Sequence, residues 1–330
     1  MAFPVRLATA SVVMALVAGC ATGTSDQGAP GAAAPGVIES CGKRSTFAAA
    51  PNRVVALDQS STETLLALGA GAKMAGTANL KTKVSPEHAA EYAKIPVLSP
   101  KVLTAEPLRA ANPDFVTASF KELFTADRAG TRDELEALGV PTYVSAVNCP
   151  DGTTGAFERL FRDYENLGKA LGVADRAGEL ATAQRALLAE AREKGAKRPQ
   201  GLKVAWVYSV FKDVPYVAGR TGMPSEMSRI SGVTNVFDDV DQEWPEVSWE
   251  AIADRAPDVV VIGDLSERGN PGDTADEKLA MMRAHPVLSQ LPAVRDGKII
   301  KLPGIELDAS VRTVNALRAF GSGLDALGHG

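Results

Sequence analysis

ALDQSSTETLLALGAG, residues Ala56–Gly71, is where a β-branched run gives way to an apolar helical pattern. The preceding RVVALD has the composition of a buried strand, and Gly69 marks the end of the helix. Ser60-Ser61-Thr62-Glu63 fits a capping box, in which Ser60 caps the backbone and Glu63 folds back onto it. A strand feeding a helix through a short polar turn is the unit from which parallel α/β sheets are assembled.

The same alternation continues outward from this stretch. KMAGTA, IPVLS, DFVTAS and PTYVSAV read as four further strands, with a helix over Arg132–Leu138 closed by Gly139. KVAWVYSV, PDVVVIGD and GKIIKLP repeat the plan in the second half, which ends in a helical pattern over Val311–Leu327. Between the halves, Asp175–Lys197 predicts a long helix with Leu180, Gln184, Leu187, Leu188 and Ala191 on one stripe. At 1.5 Å per residue such a helix is roughly 34 Å long, enough to run along two lobes, although periodicity alone also fits an ordinary surface helix. The expected fold class is α/β, with two Rossmann-like lobes of mostly parallel sheet joined by this single helix. There is a faint internal repeat: ANPDFVTAS echoes RAPDVVVIGD, and Glu63 and Glu226 each stand six residues before a glycine, Gly69 and Gly232.

The 330 residues are 45% hydrophobic and 23% charged, an ordinary balance for two folded units, and the net charge of −5 gives nucleic acid nothing to bind. Arg6, the apolar Leu7–Ala18 and Val17-Ala18-Gly19 before Cys20 resemble a bacterial lipoprotein signal. The apolar run is too short to span roughly 30 Å of hydrocarbon. The expected organisation is a signal peptide over 1–19, a lipid on Cys20, a Gly/Ala/Ser/Pro tether over 20–40, a first lobe over 41–172, the helix over 173–199 and a second lobe over 200–330. Cys41 and Cys149 remain, and outside the cytoplasm an even pair reads as a disulfide, the alternative being two separate buried thiols. The expected location is the outer face of the bacterial cytoplasmic membrane.

The opening RVVALDQSSTETLLALG, the PD(F/V)V strands, the single interlobe helix, GMPSEMSRISGVTNVF and WPEVSWEAIADRAPDVVVIGD together resemble the class III substrate-binding proteins of ABC importers. That family captures ferric siderophores, haem and cobalamin in a cleft between two α/β lobes. The resemblance covers nearly everything from Cys41 to Leu327 and implies a monomer that serves a permease dimer and its ATPase. It also implies one glutamate on each lobe that meets arginines of the permease, a role that falls to Glu63 and its counterpart Glu226. Glu226 has Met223 three residues before it, so a capping box does not explain both.

Open α/β sheets bind ligands outside the carboxyl ends of their strands. That nominates Gln59, Ser60, Lys81, Lys121 and Phe124 from the first lobe, and Tyr208, Phe211, Tyr216, Arg220, Trp244, Asp308 and Arg312 from the second. Phe124 and Tyr216 also suit core positions, and Arg312 also suits a pairing with Asp308. Trp244 stands out because it lies in the polar loop DDVDQEWPEV, while Trp249 suits packing. Mixed charges and aromatics suit a large amphipathic ligand: a ferric siderophore first, with cobalamin or a phosphorylated deazaflavin cofactor precursor as alternatives. His88, His285 and His329 are isolated, so neither a transition-metal site nor a cofactor is expected. No G-x-S-x-G elbow occurs and GAGAKMAG lacks the dinucleotide spacing, so a binding protein is expected rather than an enzyme. Readings of another class are a lipid-anchored hydrolase or a sensor without an importer.

Overall fold

A computed structural model describes residues 1–2 and 36–330, and residues 34–330 form one unit. The expected signal peptide, the Cys20 lipid site and most of the tether lie outside the described residues. A hairpin comes first, β1 Val37–Ser40 and β2 Lys43–Thr46. The first lobe follows as β3 Val54–Ala56, α1 Gln59–Ala67, β4 Met74–Ala78, α2 Ala89–Tyr92, β5 Val97–Ser99, α3 Ala105–Ala110, β6 Phe115–Ala118, α4 Arg132–Ala137, β7 Thr142–Val144 and α5 Ala156–Leu171. The long helix α6 spans Ala174–Gly195. The second lobe contains β8 Lys203–Phe211, β9 Val214–Val217, α7 Met223–Ile230, β10 Thr234–Asn235, α8 Trp249–Asp254, β11 Val259–Asp264, α9 Ala275–Ala284, α10 Pro292–Arg295, β12 Ile299–Pro303 and α11 Thr313–Ala326.

The first sheet has the order β5-β4-β3-β6-β7 and all its pairs are parallel. The second has the parallel order β10-β8-β11-β12, with β9 folded back antiparallel on the upper half of β8. Apart from the extra edge strands, the two orders match. The repeat extends to details: Asp114 accepts from the backbone N–H groups of Asn52 and Arg53, and Asp258 accepts from that of Lys203. In each case an aspartate after proline ties the start of one strand to its neighbour. The residues before the prolines begin with left-handed Asn112 (φ 48°) and Ala256 (φ 47°), which turn the chain from helix into strand.

One hydrophobic cluster runs through both lobes, taking in Val54, Leu65 and Phe161 from the first, Ala177, Ala181 and Leu188 from α6, and Trp206, Met223 and Leu317 from the second. Helix α6 packs on α5 from the first lobe and on α7 and α11 from the second. Its one buried polar side chain on the stripe has a reason to be there. Gln184 accepts from the Tyr164 hydroxyl and donates to the Val311 carbonyl, so a single amide is satisfied by both lobes.

The opening stretch folds as strand, turn and helix, but its cap differs from the expected one. Asp58, not Ser60, is the N-cap: its carboxylate accepts from the Ser61 N–H at 2.8 Å and also from the backbone and hydroxyl of Ser119. The cap therefore joins the loop after β3 to the loop after β6, at the point where the strand order reverses. Glu63 lies too far into α1 to cap it.

Cys41 and Cys149 form a disulfide across 108 residues, pinning the turn of the β1–β2 hairpin to the loop after β7. That loop is also held by Asp163, whose carboxylate accepts from Tyr143, Ser145 and the Ala146 N–H. Burial pushes the Asp163 carboxyl up to about 6 against the pull of these donors. A cross-link closing so long a loop restricts the unfolded chain by about 4–5 kcal/mol in the chain-entropy treatment. The paired Cys41→Ser/Cys149→Ser variant should accordingly lose on the order of 3–5 kcal/mol in urea unfolding while keeping its far-ultraviolet circular dichroism. Unchanged unfolding would mean that the hairpin contributes nothing to the lobe it is stapled to.

Candidate functional site

Residues at and beyond the carboxyl ends of the strands of the two sheets meet at one cluster. Lys81 from the first lobe extends its ammonium to Asp308 of the second at 2.9 Å and to the Tyr208 hydroxyl at 3.0 Å. Tyr208 in turn donates to the same Asp308 oxygen at 3.1 Å. Trp244 stacks on the Tyr208 ring, with centroids 4.3 Å apart, and Phe120 presents its ring 5.4 Å from the Lys81 ammonium. Beside them Asn148 donates to Glu243, again from lobe to lobe. The second lobe supplies the aromatic stack and two carboxylates, and the first supplies the cation and an amide.

The electrostatics follow from burial. Burial alone would push the Lys81 ammonium down, but Asp308 and Tyr208 outweigh it and raise it, so Lys81 stays charged. Tyr208 is pushed up to about 12, by burial first and by the Asp308 charge second. Glu243 rises to about 7, from burial and then from the nearby negative charge of Asp308. Among the described residues, four buried polar atoms of the interface have no partner: Trp244 Nε1, Asp308 Oδ1, Glu63 Oε2 and, beside Thr221 of the second lobe, Arg159 Nε. Such atoms are costly unless something completes them.

Lys81 is aimed by Gln59. The Gln59 side-chain oxygen accepts from the backbone N–H groups of Lys81 and Thr82, and its nitrogen donates to Thr82 and to Glu63. Glu63 is 1% exposed and also receives Arg312 of the second lobe at 3.3 Å. Glu226 is 6% exposed and accepts, at 2.9 Å, from the Phe157 N–H in the first turn of α5. The internal repeat is therefore real in space. Each lobe's first helix after its central strand sends one carboxylate across to the start of a helix in the other lobe, α11 for Glu63 and α5 for Glu226.

That arrangement corrects the docking expectation for both residues, because a carboxylate this deeply buried cannot meet an arginine on another protein. Exposed carboxylates at matching positions do exist. Glu106 and Glu250 are each the second residue of a helix, α3 and α8, and each stands seven residues before the proline of its Pro-Asp strand start.

Comparison with known proteins agrees with this architecture. A family model described as periplasmic binding protein matches residues 54–306. The chain belongs to this family. A vitamin B12-binding protein of Vibrio parahaemolyticus is 29% identical over 267 residues, 80% of this chain and 86% of that protein. A periplasmic binding protein from Veillonella parvula superposes with a TM-score of 0.77 at 28% identity, over 87% of this chain and 96% of that one. A structure described as an ABC-type Fe3+-hydroxamate transport system from Saccharomonospora viridis gives a TM-score of 0.73 at 25% identity, over 88% and 99% of the two chains.

Among the residues nominated from the sequence of this periplasmic binding protein, Lys81, Tyr208, Trp244 and Asp308 come together, and Gln59 braces them from behind. Ser60 is buried in the first turn of α1. Phe124, nominated as a ligand contact, is buried in the first lobe's own core against Leu57, Leu103 and Val116, because the loop after β6 turns it inward. Arg312 pairs with Glu63 and Glu306 and not with Asp308, which Lys81 occupies. Phe211 is exposed at the tip of the β8–β9 hairpin, Tyr216 donates to Glu246, Arg220 pairs with Asp241 at 2.8 Å, and the Lys121 side chain is exposed. Trp249 is buried in the second lobe's core. Phe120, Asn148 and Glu243 were not nominated. Glu243 stands directly before Trp244, and that adjacency was the available signal.

Two cavities lie between the lobes near the cluster. One, of about 440 Å³, is lined by Thr154, Gly155, Arg159, Arg220 and Glu226. The other, of about 350 Å³, is lined by Thr82, Lys83, Glu267 and Arg312. Gly155 shows how closely the first flank is fitted: a Cβ there would stand 2.4 Å from the Glu226 carboxylate. Gly155→Ala should therefore lower the thermal midpoint and speed hydrogen exchange at the Phe157 amide. Gly178→Ala, on α6 with open space at its Cβ, should raise the midpoint by ~2 °C through helix propensity. Equal effects from both would show that the Glu226 contact does not constrain the lobes.

Proposed function

We propose that this protein is the capture component of an ABC importer, tethered outside the cytoplasmic membrane through a lipid on Cys20. In this reading it binds a ferric siderophore between its lobes on the Tyr208–Trp244 stack. The observation that carries the reading is the convergence of an aromatic stack, a cation, two carboxylates and unpartnered polar atoms where the two lobes of a periplasmic binding protein meet. The likeness to the Saccharomonospora viridis structure favours an iron hydroxamate within that class. The second reading is a corrinoid, favoured by the vitamin B12-binding relative. Delivery in this reading goes through a permease dimer that docks on Glu106 and Glu250, a two-point electrostatic contact that orients the protein without touching the ligand.

Native mass spectrometry and absorbance of the soluble chain, produced without the anchor and exposed to ferric siderophores and cyanocobalamin, test the capture role. Trp244→Ala should weaken binding at least tenfold with a modest change in thermal midpoint, because the ring is half-buried and stacked on one face. A large loss of stability at unchanged affinity would make Trp244 structural.

The docking assignment has a separate test. Glu106→Arg and Glu250→Arg should each leave ligand affinity unchanged and sharply reduce uptake through the cognate permease. Normal uptake by the double variant, at wild-type protein levels, would remove both residues from the dock.

A further inference from the structure

We infer that the cleft selects its ligand by charge, taking a neutral or cationic chelate that presents N–H donors to Asp308 and Glu243 and a carbonyl-type oxygen to Trp244, and rejecting polyanions. This deepens the proposed capture role and rests on it.

The inference comes from which bonds are already made. Asp308 is 1% exposed, and one of its oxygens receives both Lys81 and Tyr208 while the other receives nothing. A bare oxygen on a buried carboxylate is completed only by a donor. Trp244 Nε1, also buried and bare, is donor-only and is completed only by an acceptor. The chemistry asked of the ligand is therefore mixed, as in an amide, a hydroxamate or an amine-bearing chain.

Charge then excludes a class. Lys81, the cation at the centre, is ion-paired with Asp308, and the one side-chain hydrogen bond Glu243 receives is from the neutral Asn148 amide. The other charged groups that reach Glu243 are Asp308, Lys81 and Glu122, of which two are negative. Its loop, Val236–Glu246, contains Asp238, Asp239, Asp241, Glu243 and Glu246 and no cation. Arg229, Arg255 and Arg220 pair with the three aspartates, which offsets part of the charge they would offer a ligand's anionic groups. A ferric tris-catecholate carrying three negative charges, or a haem with two propionates, would bring like charge against Glu243 and Asp308 in a half-buried site. Such juxtapositions are what specificity by repulsion is made of.

Matched probes that change charge and little else provide the test. Ferrioxamine B carries a free ammonium; its N-acetyl derivative is neutral and its N-succinyl derivative is anionic, on the same iron chelate. Cyanocobalamin and its monocarboxylate form a second pair. Calorimetric titration of the soluble chain should give the cationic and neutral members of a pair at least tenfold tighter binding than the anionic member. In the double variant Glu243→Gln/Asp308→Asn the gap should shrink to within about threefold. Ferrioxamine B should also bind more tightly at pH 8 than at pH 6 in the wild type, as Glu243 loses its proton, and should lose that dependence in Glu243→Gln.

Equal affinity across a pair, or preference for the anion, overturns the inference. So does binding of haem or of ferric enterobactin in preference to both pairs, which would leave the capture role standing. Binding of none of these probes would remove the capture role itself, and the inference with it.

Discussion

Two buried glutamates each take a partner from the lobe they do not belong to. Glu63 sits on α1 and meets Arg312 at the start of α11; Glu226 sits on α7 and meets the Phe157 amide at the start of α5. A carboxylate taken out of water keeps its charge only where donors are fixed around it, and removing one partner of such a contact is expensive. Because the donors come from the opposite lobe, these contacts specify how the lobes lie against each other. Gln184 on α6 adds a third tie of the same kind, neutral this time. The continuous core along α6 holds the lobes together, and the polar ties select one arrangement from those that core would allow.

The cleft inherits its geometry from that arrangement. Gln59 connects Glu63 to the backbone of Lys81, so the residue that fixes one flank also aims the cation at Asp308 and Tyr208. On the other side, the disulfide and Asp163 hold the loop that carries Asn148, which faces Glu243. Both halves of the cluster are thus braced from behind by buried polar contacts, while the atoms facing inward are left incomplete. Rigid support around unsatisfied atoms is the form a preorganised binding site takes.

Much of the fold was legible because strand and helix alternate with clear punctuation. Five strand segments in the first half and three in the second are where composition put them, and the long helix lies between. The short strands β1, β2, β9 and β10 escaped, β1 falling at the end of the expected tether; β9, Val214–Val217, is turned back by Lys212 and Asp213 at positive φ, without the glycine or asparagine that signals such a turn. The cap was misread by two residues because Asp58 and Ser60 are both good caps, and only the position of Ser119 decides between them. The repeat of Glu63 and Glu226 was visible as spacing, but spacing does not tell which way a side chain faces, and both turn inward. Trp244 could be singled out as an aromatic residue in a polar loop. For Glu243 the only signal was its place beside Trp244, since it is one of five acids in that loop and only the fold separates it from those already paired.

Hydrogen exchange with and without saturating ligand, ferrioxamine B or cyanocobalamin, tests most directly whether the ligand sits between the lobes on this cluster. The account predicts slowed exchange in segments of both lobes, around residues 79–83 and 119–124 and 145–149 on one side and 241–246 and 304–312 on the other, with α3 and α8 unaffected. Protection confined to one lobe, or centred on α3 and α8, would contradict it.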